Sequence, residues 1–94
     1  METGELVICR TYSAGVEIGE LVSRSGTEAT LRHSRKLWRW RGANTLHEVA
    51  THGVSDDFTR LSEPVEIVVL TEVIEVLTVA PEAADNLRRS RWGQ

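Results

Sequence analysis

The stretch GVEIGELVSRSGTEATLRHS, Gly15 to Ser34, decides how the chain folds. Its first part sets Val16 and Ile18 against Glu17 and Gly19, the alternation of a half-buried strand, and then changes phase at Leu21. A strand makes that change when it carries a bulge beside a glycine, and a bulge bends it. Ser25-Gly26 then predicts a tight turn into another strand with Ala29 and Leu31 on one face. The expectation is a bent antiparallel sheet.

Working outward, LVICRTY before this stretch is rich in apolar and β-branched residues and predicts a first strand that breaks at Ser13-Ala14-Gly15. Residues 35–41 predict a fourth strand. After Gly42 the period becomes helical, with Leu46, Val49 and Ala50 on one face, Thr45 as N-cap, Glu48 completing a capping box and Gly53 ending the helix. SDDFTRLSEP is a turn-rich connection, and VEIVVLTEVIEVLTV supplies two further strands or one long bent strand. APEAADNLRRSRW begins with Pro81, keeps Glu82 and Asp85 early and Arg88 and Arg89 late, and predicts a C-terminal helix or tail. The fold expected is mainly β (α+β). It is a small, strongly bent sheet or a five- to six-stranded barrel, with one short inserted helix and a C-terminal helix; an open sheet with one face covered by helices is the competitor.

A chain of 94 residues makes one domain, with a core over about residues 5–79 and the terminal helix or tail over about 80–94. Hydrophobic residues at 40% and charged residues at 27% are those of a soluble globular protein rather than a disordered one. The single Cys9 lies in an apolar run, which fits a buried thiol in a reducing compartment. No apolar run reaches membrane-spanning length, and METGEL is no signal peptide, so a cytoplasmic protein is expected.

The net charge is −3, yet no acid occurs from Ala29 to His47. Within that interval HSRKLWRWRGANT gathers Arg35, Lys36, Arg39 and Arg41 around Trp38 and Trp40. In an extended segment Trp38 and Trp40 share one face with Lys36, while Arg35, Leu37, Arg39 and Arg41 share the other. Indoles stack bases and guanidinium groups clamp phosphates, while Asn44 and Thr45 add an amide and a hydroxyl near a helix start. Arg10, Tyr12 and Ser13 of the first turn complete a candidate ligand site if that turn lies beside residues 39–45. Against it, either indole serves equally to fill the core, and Arg39 and Arg41 equally to pair with the carboxylates of VEIVVLTEVIEV.

Other chemistry is poorly supported. His33, His47 and His52 lack the i, i+4 spacing of a zinc helix, and no second cysteine assists them. Ser13 sits in no G-x-S-x-G elbow. Neither a metal, a cofactor nor a catalytic group is expected. NLRRSRW reads as a basic tail, a subunit-contacting arm or a lid, with Trp92 favouring contact.

The segments RTYSAGVEIGELVSR, RKLWRWRGANTLHEVATHGV and LSEPVEIVVLTEVIEV, spanning Arg10 to Leu77, resemble a family of short, uncharacterised proteins of tailed phages and prophages. In that family R-x-Y-S-A-G-V, W-x-W-x-G-A-x-T-L and E-P-V…L-T-E-x-I-E follow in this order. The resemblance implies an accessory protein in the cytoplasm of an infected bacterium and transfers no site residues. Together with the cation–aromatic cluster, it leads to the expectation of a homo-oligomeric sponge that sequesters nucleotide-derived immune signals, such as cyclic oligonucleotides, without turnover. Its rivals are a single-stranded nucleic-acid module and a protein–protein adaptor or inhibitor of a host enzyme.

Overall fold

Bending starts where the two longest strands meet. β2 (Val16–Ser25) and β3 (Glu28–Arg39) pair antiparallel through the turn at Gly26 and slip register twice. Between the pairs Ile18↔Arg35 and Glu20↔Arg32, β3 places His33 and Ser34 opposite Gly19 alone; between Leu21↔Leu31 and Ser23↔Thr30, the extra residue is Val22 on β2. The two bulges restore the overall register and coil the hairpin. His33 adopts φ 51°, the only positive φ at a non-glycine among the described residues. Gly19 lets the bulge seat, because a Cβ there would lie 3.1 Å from the Leu31 Cβ and the Arg32 carbonyl oxygen.

The computed structural model describes residues 4–39, 45–54 and 60–89. β1 (Leu6–Thr11) pairs with β2 on one side and with β6 (Val73–Thr78) on the other. On the opposite flank, β4 (Arg60–Leu61) and β5 (Val65–Leu70) both lie along β3. Pro64 between them has no N–H to give the ladder, and Ser62 bridges the gap, its hydroxyl accepting from the Lys36 N–H at 2.7 Å. The six segments thus fill five positions, in the order β4/β5–β3–β2–β1–β6.

Curvature follows from connectivity. β5 and β6 are four strand spacings apart, about 19 Å in a flat sheet. Only Thr71 and Glu72 join them, so the Cα atoms of Leu70 and Val73 are at most about 11 Å apart. The sheet has to curl, and the Val73 N–H reaches the Thr27 carbonyl at 2.9 Å across the opening. It does not close: among the described residues no ladder joins β6 to β4 or β5. The barrel expected as one alternative is therefore corrected to a strongly bent open sheet, because the partners available at its two edges meet only at this corner. The separate fourth strand over 35–41 is also corrected, since β3 runs on through the His33 bulge.

Each face of the sheet carries a buried apolar cluster. Val7, Cys9, Leu21, Ala29, Leu31, Leu70 and Val73 fill the inside of the curl. Ile8, Ile18, Leu37 and Leu77 form the other face, covered by Val49 and Ala50 of α1 (Leu46–His52) and by Leu87 of α2 (Pro81–Arg89). Central β1 therefore contributes three consecutive fully buried residues, Val7, Ile8 and Cys9. The α1 start is capped as expected, the Thr45 hydroxyl accepting from the Glu48 N–H at 3.2 Å. Gly53, φ 83°, ends it, its N–H bonding the Val49 carbonyl. None of the helices described is long and apolar enough to cross a membrane.

Candidate functional site: a cation-rimmed cleft

Alternation along β3 separates the residues that sequence reading had grouped. Arg35 and Leu37 face the helices, and Leu37 is sealed there. Lys36 faces the other way, where it lies 3.3 Å from Glu17 and donates to the Ala14 carbonyl at 2.7 Å. Glu17 is itself buried and accepts from the Ser34 hydroxyl at 2.9 Å, so this network locks the bulged hairpin. Trp38, on the Lys36 face, is 56% exposed and does not fill the core. Arg39 closes β3; its side chain, together with Trp40, Arg41 and Asn44, lies outside the described residues, as does the tail with Trp92.

The first turn has its own partners. Tyr12 is exposed, with its N–H bonded to the Glu72 carbonyl, and the Ser13 hydroxyl donates to the Glu72 carboxylate. Arg10 is exposed and stands opposite Glu75 in the β1–β6 register. Thr45 is engaged as the α1 cap. Of the expected site residues described, Arg35 borders a substantial cleft.

That cleft, about 380 Å³, opens between the His33 bulge and the carboxyl end of α2. Leu6, Ile18, Leu87 and Pro64 supply apolar lining, and Glu20, His33, Arg35 and Arg88 supply the polar groups. Arg35 Nε donates to the Ser62 carbonyl at 3.0 Å and Nη1 to the Leu87 carbonyl at 3.4 Å. The break in pairing at Pro64 leaves the Ser62 carbonyl available for the first bond. The second caps the partly negative end of α2. Among the described residues no carboxylate comes within ion-pair distance of Arg35, and burial holds its pKa below the usual guanidinium value. Arg88 is exposed and likewise has no ion pair among the described residues. Across the cleft, His33 Nδ1 lies 3.3 Å from Glu20 Oε2. The site thus presents two guanidinium groups and one carboxylate around apolar walls, an arrangement suited to an anion with a hydrophobic body.

Sequence reading missed Glu20, His33 and Arg88. The phase change after Gly19 predicts a bulge in β2, whereas the extra residue opposite Gly19 lies on β3, so it does not point to them. No group of three His, Cys, Asp or Glu side chains is placed to hold a metal ion among the described residues.

A bent, open antiparallel sheet with two helices packed on one face defines a small mainly-β domain. Within that class, the chain belongs to the DUF6948 family, a domain of unknown function whose family model matches residues 4–87. No curated protein and no solved structure matches it.

Proposed function

We propose that the protein is a non-catalytic binding protein that holds a small anionic, ring-bearing molecule of nucleotide type in the Arg35 cleft. The observation that carries this reading is the Arg35 guanidinium itself: partly buried, oriented by two neutral carbonyls and unmatched by a carboxylate among the described residues. A desolvated cation without a counter-ion is unfavourable until an anion arrives. With the resemblance to phage proteins, the biological form of this reading is a sponge for nucleotide-derived immune signals in the bacterial cytoplasm. Self-association belongs to the same reading, since Val65, Ile67 and Val69 form an exposed apolar row on the free edge strand β5.

Isothermal titration with cyclic mono- and dinucleotides tests it. Binding should weaken about tenfold or more in Arg35→Gln, the loss expected for one charge-assisted hydrogen bond, and chromatography should recover the nucleotide unchanged. Equal affinity in wild type and Arg35→Gln would remove the cleft from the function. Exposed Trp38 favours a second reading, stacking of single-stranded nucleic acid on the opposite face. Tight binding of long strands that collapses with salt and with Trp38→Ala, but not with Arg35→Gln, would select it.

A further inference from the structure

Resting on the anion-cleft reading, we infer that Glu20 selects the ligand's ring and that the ligand is a guanine-bearing phosphodiester. A carboxylate on the wall of an anion site weakens affinity unless the ligand gives it hydrogen-bond donors. Glu20 is held in place to receive them. Its backbone is fixed between β1 and β3 by the pairs Leu6↔Glu20 and Glu20↔Arg32. Its Oε2 lies beside His33 Nδ1, and His33 is held there by the positive-φ bulge that Gly19 allows. Its Oε1 has no hydrogen-bond partner among the described residues, and the side chain is 34% exposed toward a cleft it lines.

Two adjacent ring donors match such an acceptor. Guanine offers its imino N–H beside its amino group, whereas adenine sets a lone pair next to its amino group and so faces the carboxylate with an acceptor. Leu6 and Pro64 offer apolar surface to a ring, backed by the nearly sealed Ile18 and Leu87. Charge sets the other half of the ligand. The two guanidinium groups of Arg35 and Arg88 outnumber the Glu20 carboxylate by one, an excess that one phosphodiester balances and a triphosphate exceeds.

Titration of the intact protein with 3′,5′-cyclic GMP, cyclic IMP and cyclic AMP tests this, in wild type, Glu20→Gln and Arg35→Gln, each checked for an unchanged thermal transition. Cyclic GMP should bind about tenfold more tightly than cyclic AMP, with cyclic IMP, which lacks the amino donor, between them. Glu20→Gln should reduce that ratio to below about threefold, while Arg35→Gln should weaken all three ligands together. Cyclic GMP and cyclic AMP binding equally to wild type, or a ratio unmoved by Glu20→Gln, overturns the assignment of Glu20 while leaving the cleft standing. If no cyclic nucleotide binds wild type, both the assignment and the cleft reading fall.

Discussion

Asn86 and Val54 are joined by two hydrogen bonds: the Val54 N–H donates to Asn86 Oδ1 at 2.7 Å, and Asn86 Nδ2 donates to the Val54 carbonyl at 2.9 Å. One side-chain amide thus satisfies both main-chain groups of the second residue after α1. It also fixes the rotation of α2, which carries the neighbouring Leu87 and Arg88 to the cleft.

Replacing that amide tests how firmly the helix is held. Asn86→Leu removes both bonds and leaves the two Val54 groups short of partners, a loss of about 1–3 kcal/mol. Urea denaturation should show a lower midpoint with an unchanged slope. Because Leu87 receives the Arg35 bond, the same variant should weaken ligand binding as well.

Gly53 and Gly15 separate two kinds of glycine requirement. Both have positive φ, 83° and 82°, but a Cβ on Gly53 would collide with the Asn86 side chain, whereas nothing lies within 4 Å of one on Gly15. Gly15→Ala should cost only the backbone term, about 1–2 kcal/mol. Gly53→Ala should lower the thermal midpoint further; equal losses in the two variants would show that α2 shifts freely.

Burial pushes the Cys9 thiol up to about 11, from an ordinary value of 9.0. Folding therefore favours the protonated thiol. Its stabilising contribution is complete below pH 9 and is lost as the pH rises through 11, at roughly 1.4 kcal/mol per unit. Denaturation curves should reveal this alkaline decline in wild type and a shallower one in Cys9→Ala, although that variant starts less stable because of the cavity. Thiol reagents at neutral pH should label Cys9 only as fast as the sheet opens.

Ile67→Lys addresses the exposed row on β5. Ile67 is 47% exposed and the substituted side chain points to solvent, so a monomer should lose no more than about 0.5 kcal/mol. Sedimentation equilibrium should convert a self-associating wild type into a monomer. Identical sedimentation of the two proteins would assign the row no role in assembly.

Local chemistry in the sequence was a good guide to single elements. The Ser25-Gly26 turn, the Thr45 cap and the Pro81 helix start each act over a few residues, and each element formed where those signals placed it. The phase change at Leu21 has another cause than the β2 bulge expected beside Gly19: β2 is buried on both faces, Ile18 toward the helices and Leu21 inside the curl, and the extra residue opposite Gly19 belongs to β3. What crosses strands was harder to read. The continuity of β3 depends on His33 finding Gly19 opposite it, and the break before β5 on the Ser62 hydroxyl accepting the Lys36 N–H where the ladder is interrupted. The cleft draws Leu6, Glu20, His33 and Arg88 from four elements, so no window of sequence contains it. In HSRKLWRWRG, the alternation recognised at the outset already put Arg35 and Trp38 on opposite faces; grouping them as one site set that geometry aside.

The span of two residues at Thr71-Glu72 has a further consequence. It acts as a drawstring on the sheet: no relative keeping that length can flatten without tearing a ladder apart, whatever side chains it exchanges. Shape in such relatives is inherited through the length of a connector, and an insertion between Leu70 and Val73 is the simplest change that would release it.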